Sequence, residues 1–208
     1  DYLGRFGIRE GGGQVGWDMQ FTINFDYLCP FAFNANEGVL AGIDAGRDWD
    51  VEFLPFSLSQ VHVADGDPDV FRDLERPGIR ALHWGLAARD NDREHFGAVH
   101  RSLFAARHTK GLDIADDEII RSELAPTGVD VEAIAAVVDS GRPGDTLEAE
   151  HQAAVDRHSV FGVPTFIVGE SATFVRLMSR GDVRDVDRVL DMLRWDSLNE
   201  FKRTKRHA

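Results

Sequence analysis

The stretch FTINFDYLCPFAF, Phe21 to Phe33, decides how this chain folds. Its first half alternates apolar and polar residues from Phe21 to Asp26, the period of a strand with one buried face. Cys29 and Pro30 interrupt that pattern. Proline suits the first position of a helix, where its missing N–H costs nothing. The spacing therefore predicts a helix over about Pro30–Ala45, ending near Gly46. Gly38 and Gly42 lower its intrinsic propensity. A second apolar run, Val51–Leu58, reads as another strand, with Pro55 disrupting its end. Strand, helix, strand in that order predicts parallel pairing across a right-handed crossover.

Further along, residues 65–77 are polar and turn-rich, and residues 78–159 read helical throughout. Five helices are expected there: Gly78–Asp90, Arg93–Thr109, one beginning at Asp116–Glu123, Asp130–Ser140, and Thr146–His158 with Thr146 as its N-cap. Gly141–Gly144 is read as a stop between the last two. Strand signals return at Pro164–Val168 and at a hairpin partner, Ala172–Met178. Asp182–Trp195 is an amphipathic helix with Val183, Val186, Val189, Leu190 and Leu193 on one face. The order is β-α-β, a helical block, then β-β-α. It predicts an α/β fold in which residues 19–64 and 160–200 build one sheet domain and residues 65–159 form an all-helical insertion. Residues 1–18, rich in glycine, read as a flexible extension, and residues 201–208 as a basic tail. No internal repeat is present.

The chain has 208 residues, 43% of them hydrophobic, enough for a real core, and a formal net charge of −13. That acidity argues against nucleic acid as a partner, because a nucleic-acid binder needs a basic footprint. No apolar run reaches the length that spans a bilayer, and the first residues lack the cationic-then-apolar order of a signal peptide. A single cysteine fits a reducing compartment, and a cytoplasmic location is expected.

Cys29 itself carries the chemistry. A thiolate, not a thiol, is the nucleophile, and a helix N-terminus favours the anion through its unpaired N–H groups. The position therefore predicts an acidic, reactive thiol. Ala32 stands where a C-x-x-C pair would put its second cysteine, so a mixed disulfide at Cys29 needs an outside thiol for release. The second signal is FGVPTFIV, Phe161 to Val168. A cis bond at Val163–Pro164 would turn the Val163 backbone toward Cys29, although an ordinary trans proline is the commoner reading of such a site.

These segments, taken together, resemble the DsbA-like thioredoxin superfamily, particularly its FrnE-like and 2-hydroxychromene-2-carboxylate isomerase-like branch, which includes kappa-class glutathione transferases. The resemblance covers about residues 20–195. It rests on FDYLCP (Phe25–Pro30), LPFSL (Leu54–Leu58), HRSLFAARHTKGLDI (His100–Ile114) and VFGVPTF (Val160–Phe166) in that order. It implies a thioredoxin-like fold with a large helical insertion, Cys29 as the nucleophile and Pro164 as a cis-proline; Pro30, Phe31, Val163, Pro164 and Thr165 are the candidate substrate-binding residues. The chain departs from dithiol members at Ala32, and from the isomerase members at Cys29, where those carry serine. The tail EFKRTK (Glu200–Lys205) resembles actinobacterial relatives, some of which depend on mycothiol.

The expected function is a monothiol, thiol-dependent oxidoreductase. Its cosubstrate would be glutathione or mycothiol, with no tightly bound cofactor and no metal, and its substrate a small molecule or peptide. The alternatives are a thiol-assisted isomerase or transferase acting on an aromatic compound, or a redox-inactive binding module. A homodimer is compatible with the resemblance; no membrane or nucleic-acid partner is expected. The eight histidines show no metal-site spacing. His100, His108, His151 and His158 read as packing or surface residues, with His158 weighed as able to influence Cys29. Of Phe31 and Phe33, one is expected to pack inward and the other to form an apolar lip. Trp84 is read as core, with the cleft as its alternative place.

Overall fold

A computed structural model describes residues 19–198, 200 and 201. The extension read at 1–18 and the tail from residue 202 onward lie outside the described residues. Four strands form one sheet: β1 (Met19–Phe25), β2 (Trp49–Pro55), β3 (Thr165–Val168) and β4 (Ser171–Phe174), in the spatial order β2-β1-β3-β4. β1 and β2 are parallel, with Phe21 beside Val51 and Phe25 beside Pro55. β3 runs antiparallel to β1 and to β4. The alternation in β1 sorts its side chains: Phe21, Ile23 and Phe25 are buried, while Gln20 and Thr22 reach across to Asp50 and Glu52 on the other face. Asn24, also buried, has an amide with no partner among the described residues.

Between β1 and β2 runs α1 (Pro30–Asp44), with Pro30 at its first position and Cys29 as its N-cap. Its two glycines weaken the helix locally but let it pack. A Cβ at Gly38 would lie 2.9 Å from Val186 Cγ2, and one at Gly42 would lie 2.1 Å from the Trp49 ring. Tertiary approach thus overrides propensity.

After a short helix, α2 (Leu58–Val61), capped by Ser57, comes the helical block: α3 (Pro77–Asn91), α4 (Arg93–His108), α5 (Asp117–Leu124), α6 (Val131–Asp139) and α7 (Arg142–His158). A single 3₁₀ turn at Ala125–Thr127 follows α5. The chain re-enters the sheet at β3 and ends in α8 (Val183–Leu193), which buries Val186, Val189, Leu190 and Leu193. Several boundaries differ from the pattern reading: β4 ends at Phe174, not Met178, β2 begins at Trp49, not Val51, and two further differences have a local cause. α7 starts at Arg142, not Thr146, because Pro143 falls inside its first turn, where proline is tolerated. β2 ends at Pro55, and the residues after it turn into α2 because Ser57 accepts from the Gln60 N–H. Among the described residues no helix is long and apolar enough to cross a membrane.

Sheet and helical block share one continuous apolar cluster, from Phe21 and Ile23 in β1 to Leu86 in α3, Leu103 in α4 and Leu147 in α7. Buried polar groups stitch the seam between them. Arg89 on α3 holds Glu150 on α7 through two hydrogen bonds, 2.7 and 2.8 Å, and donates to the Phe53 carbonyl of β2 at 2.9 Å. His151 accepts from the Ser57 N–H at 3.1 Å, so its Nδ1 is unprotonated; burial pushes this imidazole down to about 4. His100 on α4 lies between Tyr27 Oη and Asn36 Oδ1, each at 2.9 Å, and Asn36 Nδ2 donates to the Ala32 carbonyl at 2.8 Å. That last bond fixes the direction of the chain. Asn36 Oδ1 must accept, so His100 Nε2 donates, and Nδ1 accepts from Tyr27. Burial pushes His100 down to about 3, which keeps it neutral in this role.

Candidate active site

Residues from both ends of the chain converge at the N-terminus of α1. Cys29 is 8% exposed and points at the bend before β3. The Val163–Pro164 peptide there is cis. The thiol donates to the Val163 carbonyl at 3.3 Å, and the Ala32 N–H donates to the sulfur at 3.4 Å. Cys29 and Val163 stand 134 residues apart in sequence, and the parallel–antiparallel sheet order is what brings them together. Val163 and Pro164 are buried, and Pro30 is exposed beside the sulfur. Thr165 is turned inward, its hydroxyl donating to the Gly162 carbonyl at 2.7 Å. Phe31 is half-buried at the rim, whereas Phe33 packs inward on Phe104 with ring centroids 5.4 Å apart.

The electrostatics overturn one expectation. Burial pushes the Cys29 thiol up; the Ala32 and Phe31 N–H groups and Arg176 oppose this, Asp26 adds to it, and the net shift is upward. The helix N-terminus is present, but its N–H contact is long and the sulfur sits in the apolar cluster, where the charged form is poorly solvated. The bond from the thiol to the Val163 carbonyl is made only by the neutral form and works in the same direction. The apo site therefore holds a thiol, not an acidic thiolate.

Two neighbours were not read from the sequence. Asp26 is fully buried, accepts from the Leu28 N–H at 2.8 Å and the Leu58 N–H at 2.7 Å, and is pushed up to about 6 by burial against those two bonds. A carboxylate ending an alternating apolar strand, three positions before the cysteine, is the signal that could have found it. Arg176 lies in the segment after β4, its guanidinium 5.3 Å from the Phe31 ring centroid. Its distance from Cys29 in sequence left no local signal. Of the histidines, His108 donates to the Tyr27 carbonyl at 2.8 Å, and the groups acting on the thiol do not include His158. Trp84 is core, donating to Asp117 at 2.9 Å.

Known structures share this fold. A 2-hydroxychromene-2-carboxylate isomerase superposes with a TM-score of 0.62 at 18% identity, over 84% of this chain and 96% of that one. The cytosolic disulfide reductase DsbM from Pseudomonas aeruginosa, solved with GSH, gives 0.60 at 20%, over 83% and 97%. Pseudomonas aeruginosa DsbA gives 0.57 at 21%, over 83% and 80%. At these identities the likeness is one of fold. No curated protein matches the chain in sequence. The model of the DSBA-like thioredoxin domain, however, matches residues 21–184, which takes in the β1–Cys29 junction, the whole helical block and the cis-proline bend. The chain belongs to the DSBA-like thioredoxin domain family.

Proposed function

We propose that this chain is a single-cysteine thiol–disulfide oxidoreductase completed by an external low-molecular-weight thiol. The observation that carries the reading is the lone sulfur capping α1 and facing the Val163 carbonyl across the cis-proline bend, with Ala32 in place of a second cysteine. Cys29 gives up its proton and attacks one sulfur of a disulfide X–S–S–R. The S–S bond breaks, a Cys29–S–S–R bond forms, and X–S⁻ leaves and takes up a proton. An external thiol R′–SH then attacks the R-side sulfur, frees Cys29 as a thiol and departs as R–S–S–R′. The first-turn N–H groups of Phe31 and Ala32 stabilise the anion as it forms, and the Val163 N–H, without a partner among the described residues, is available to a bound chain.

The raised thiol pKa bears on direction. A thiol of high pKa is a strong nucleophile once ionised and a poor leaving group. Cys29 is thus suited to taking a group from a disulfide, not to forcing oxidation on a partner. A reducing, cytoplasmic compartment suits that direction and the single cysteine.

Intact-mass measurement after exposure to a small disulfide tests the reading. An adduct of one R–S group is expected, reversed by excess thiol and absent in Cys29→Ser. In Ala32→Cys the adduct resolves into an internal disulfide and disappears. Native protein that stays unmodified while the unfolded chain reacts would remove this reading. A second reading draws on the neutral thiol. Cys29 already donates a hydrogen bond as a hydroxyl would, so it could orient an external thiol's sulfur in an isomerase or transferase acting on an aromatic compound. Turnover of such a substrate that survives in Cys29→Ser would favour it.

A further inference from the structure

The segment 175–181 follows β4 and is fastened at both ends to the two halves of the Cys29 site. The Val175 N–H donates to the Pro164 carbonyl at 3.1 Å, and the Gly181 N–H donates to the Asn34 carbonyl of α1 at 3.3 Å. Between them, Asn34 Nδ2 donates to the Leu177 carbonyl at 2.9 Å. The segment therefore carries Arg176 and Arg180 along the rim of the site. The Arg176 guanidinium lies 5.3 Å from the Phe31 ring centroid and 5.5 Å from that of Phe174; Arg180 lies 4.1 Å from that of Phe33. A guanidinium stacked on a ring keeps its N–H edge for a planar, bidentate acceptor.

That edge is unspent. Neither arginine has a carboxylate within ion-pair distance among the described residues; Glu37 feels the Arg180 charge from farther off and is shared with Arg101, and the polar bond of Arg180 is a 3.4 Å contact to Thr109 Oγ1. Arg184 and Arg188, a few residues on, are paired with Asp182 and Asp185. Residues 171–181 contain no Asp or Glu, in a chain of net charge −13. Arg176 is also close enough to Cys29 to act on its thiol. Beside the pair, Phe161 and Met178 are 68% and 70% exposed, and the Phe161 ring meets Phe174 at 5.1 Å, which offers an apolar surface next to two cations.

We propose that Arg176 and Arg180 are the specificity determinants of the Cys29 site and select thiols and disulfides bearing carboxylates, of the glutathione kind, over carboxylate-free ones such as mycothiol. This rests on the thiol–disulfide reading. The carboxylates dock on the two guanidinium edges and the sulfur reaches Cys29 past Phe31. Two exposed charge pairs give a modest preference, about fivefold at low salt, which declines as salt screens them.

Three disulfides with similar reactive bonds test it: oxidised glutathione, neutral bis(2-hydroxyethyl) disulfide and cationic cystamine. Adduct formation on Cys29 is timed by intact mass, each rate divided by that of the same reagent on the unfolded chain. The expected order is anionic, neutral, cationic, and R176Q/R180Q brings the anionic-to-neutral ratio toward one. A second readout needs no chemistry: calorimetric binding of S-methylglutathione to Cys29→Ser, weakened when R176Q/R180Q is added. Equal normalised rates, with S-methylglutathione unbound or bound regardless of the arginines, overturn the selection and leave the redox reading standing. No adduct from any disulfide, with arginine-dependent binding of S-methylglutathione, overturns the redox reading and keeps the anion site.

Discussion

Two polar regions meet at α1, and they are finished to different degrees. Along the seam between sheet and helical block, each polar group of the main network is spent: Arg89 on Glu150 and a β2 carbonyl, His100 between Tyr27 and Asn36, His151 on the Ser57 N–H. At the rim, Cys29 has two long contacts, and Arg176 and Arg180 form no ion pair among the described residues. Saturated groups hold the protein together, whereas groups with capacity left over are the ones that bind something else. The first region should answer mutation in stability, the second in reactivity.

The strongest way to break that contrast is Arg89→Ala. It leaves Glu150, only 11% exposed, without its partner, and losing one member of a buried pair costs about 3–5 kcal/mol. Arg176→Ala, at the exposed rim, should change unfolding free energy by no more than about 0.5 kcal/mol. Denaturant midpoints compare the two directly, and similar losses would erase the distinction. Next comes Asp26, which lies between the regions. Its carboxyl is raised to about 6 from 3.8, so the folded state holds the proton longer than the unfolded one. Stability from this group is present below the lower value and is lost as pH climbs through the upper. Asp26→Asn keeps one acceptor for two N–H groups and carries a constant penalty, but the change with pH is diagnostic. Between about pH 4 and 8 the variant should gain about 2.5 kcal/mol relative to the parent. A pH-independent difference would show that the burial of Asp26 has no electrostatic cost.

His100→Phe sharpens the contrast from the seam side. It keeps the ring contact with Phe25, now 4.5 Å between centroids, but strands Tyr27 Oη and Asn36 Oδ1 in the core. The expected loss is about 2 kcal/mol. Because His100 is neutral when folded, its stabilising contribution in the parent runs opposite to that of Asp26: it is lost as pH falls below the ordinary imidazole range toward 3. Parent and variant should therefore converge in acid. Divergence there would mean that the imidazole is protonated inside the fold.

The contrast also explains what the sequence could disclose. The alternation of Phe21, Ile23 and Phe25, Pro30 at a helix start and the 3.6-residue stripe of α8 are local, and they predict the order of elements along the chain and the junction carrying Cys29. The seam was opaque because its partners are chosen by packing: nothing near His100 in sequence points to Tyr27, 73 residues away. Asp26 is readable only as an acid where an apolar strand ends. Arg176 reaches the site through the β3–β4 hairpin and has no motif. The acidic thiol expected from the helix N-terminus failed for a related reason. The N–H groups are local and visible in sequence, but the apolar cluster that outweighs them is assembled from distant segments.

That last point can be tested at the sulfur, where the smallest effect is expected. Cys29 in the native protein should alkylate with iodoacetamide more slowly than a free cysteine peptide at neutral pH, its rate still rising where the peptide's has levelled, since burial holds the thiol up. Asp26 contributes to that shift while ionised, so Asp26→Asn should speed alkylation above about pH 6 and leave it unchanged well below, where the parent carboxyl is itself neutral. Asp26 ranks behind burial, so the gain should stay below roughly tenfold, the change one pKa unit carries. A rate in Asp26→Asn that rises equally at pH 4 and pH 8 would point to a loosened rim, because an uncharged Asp26 has no field to remove.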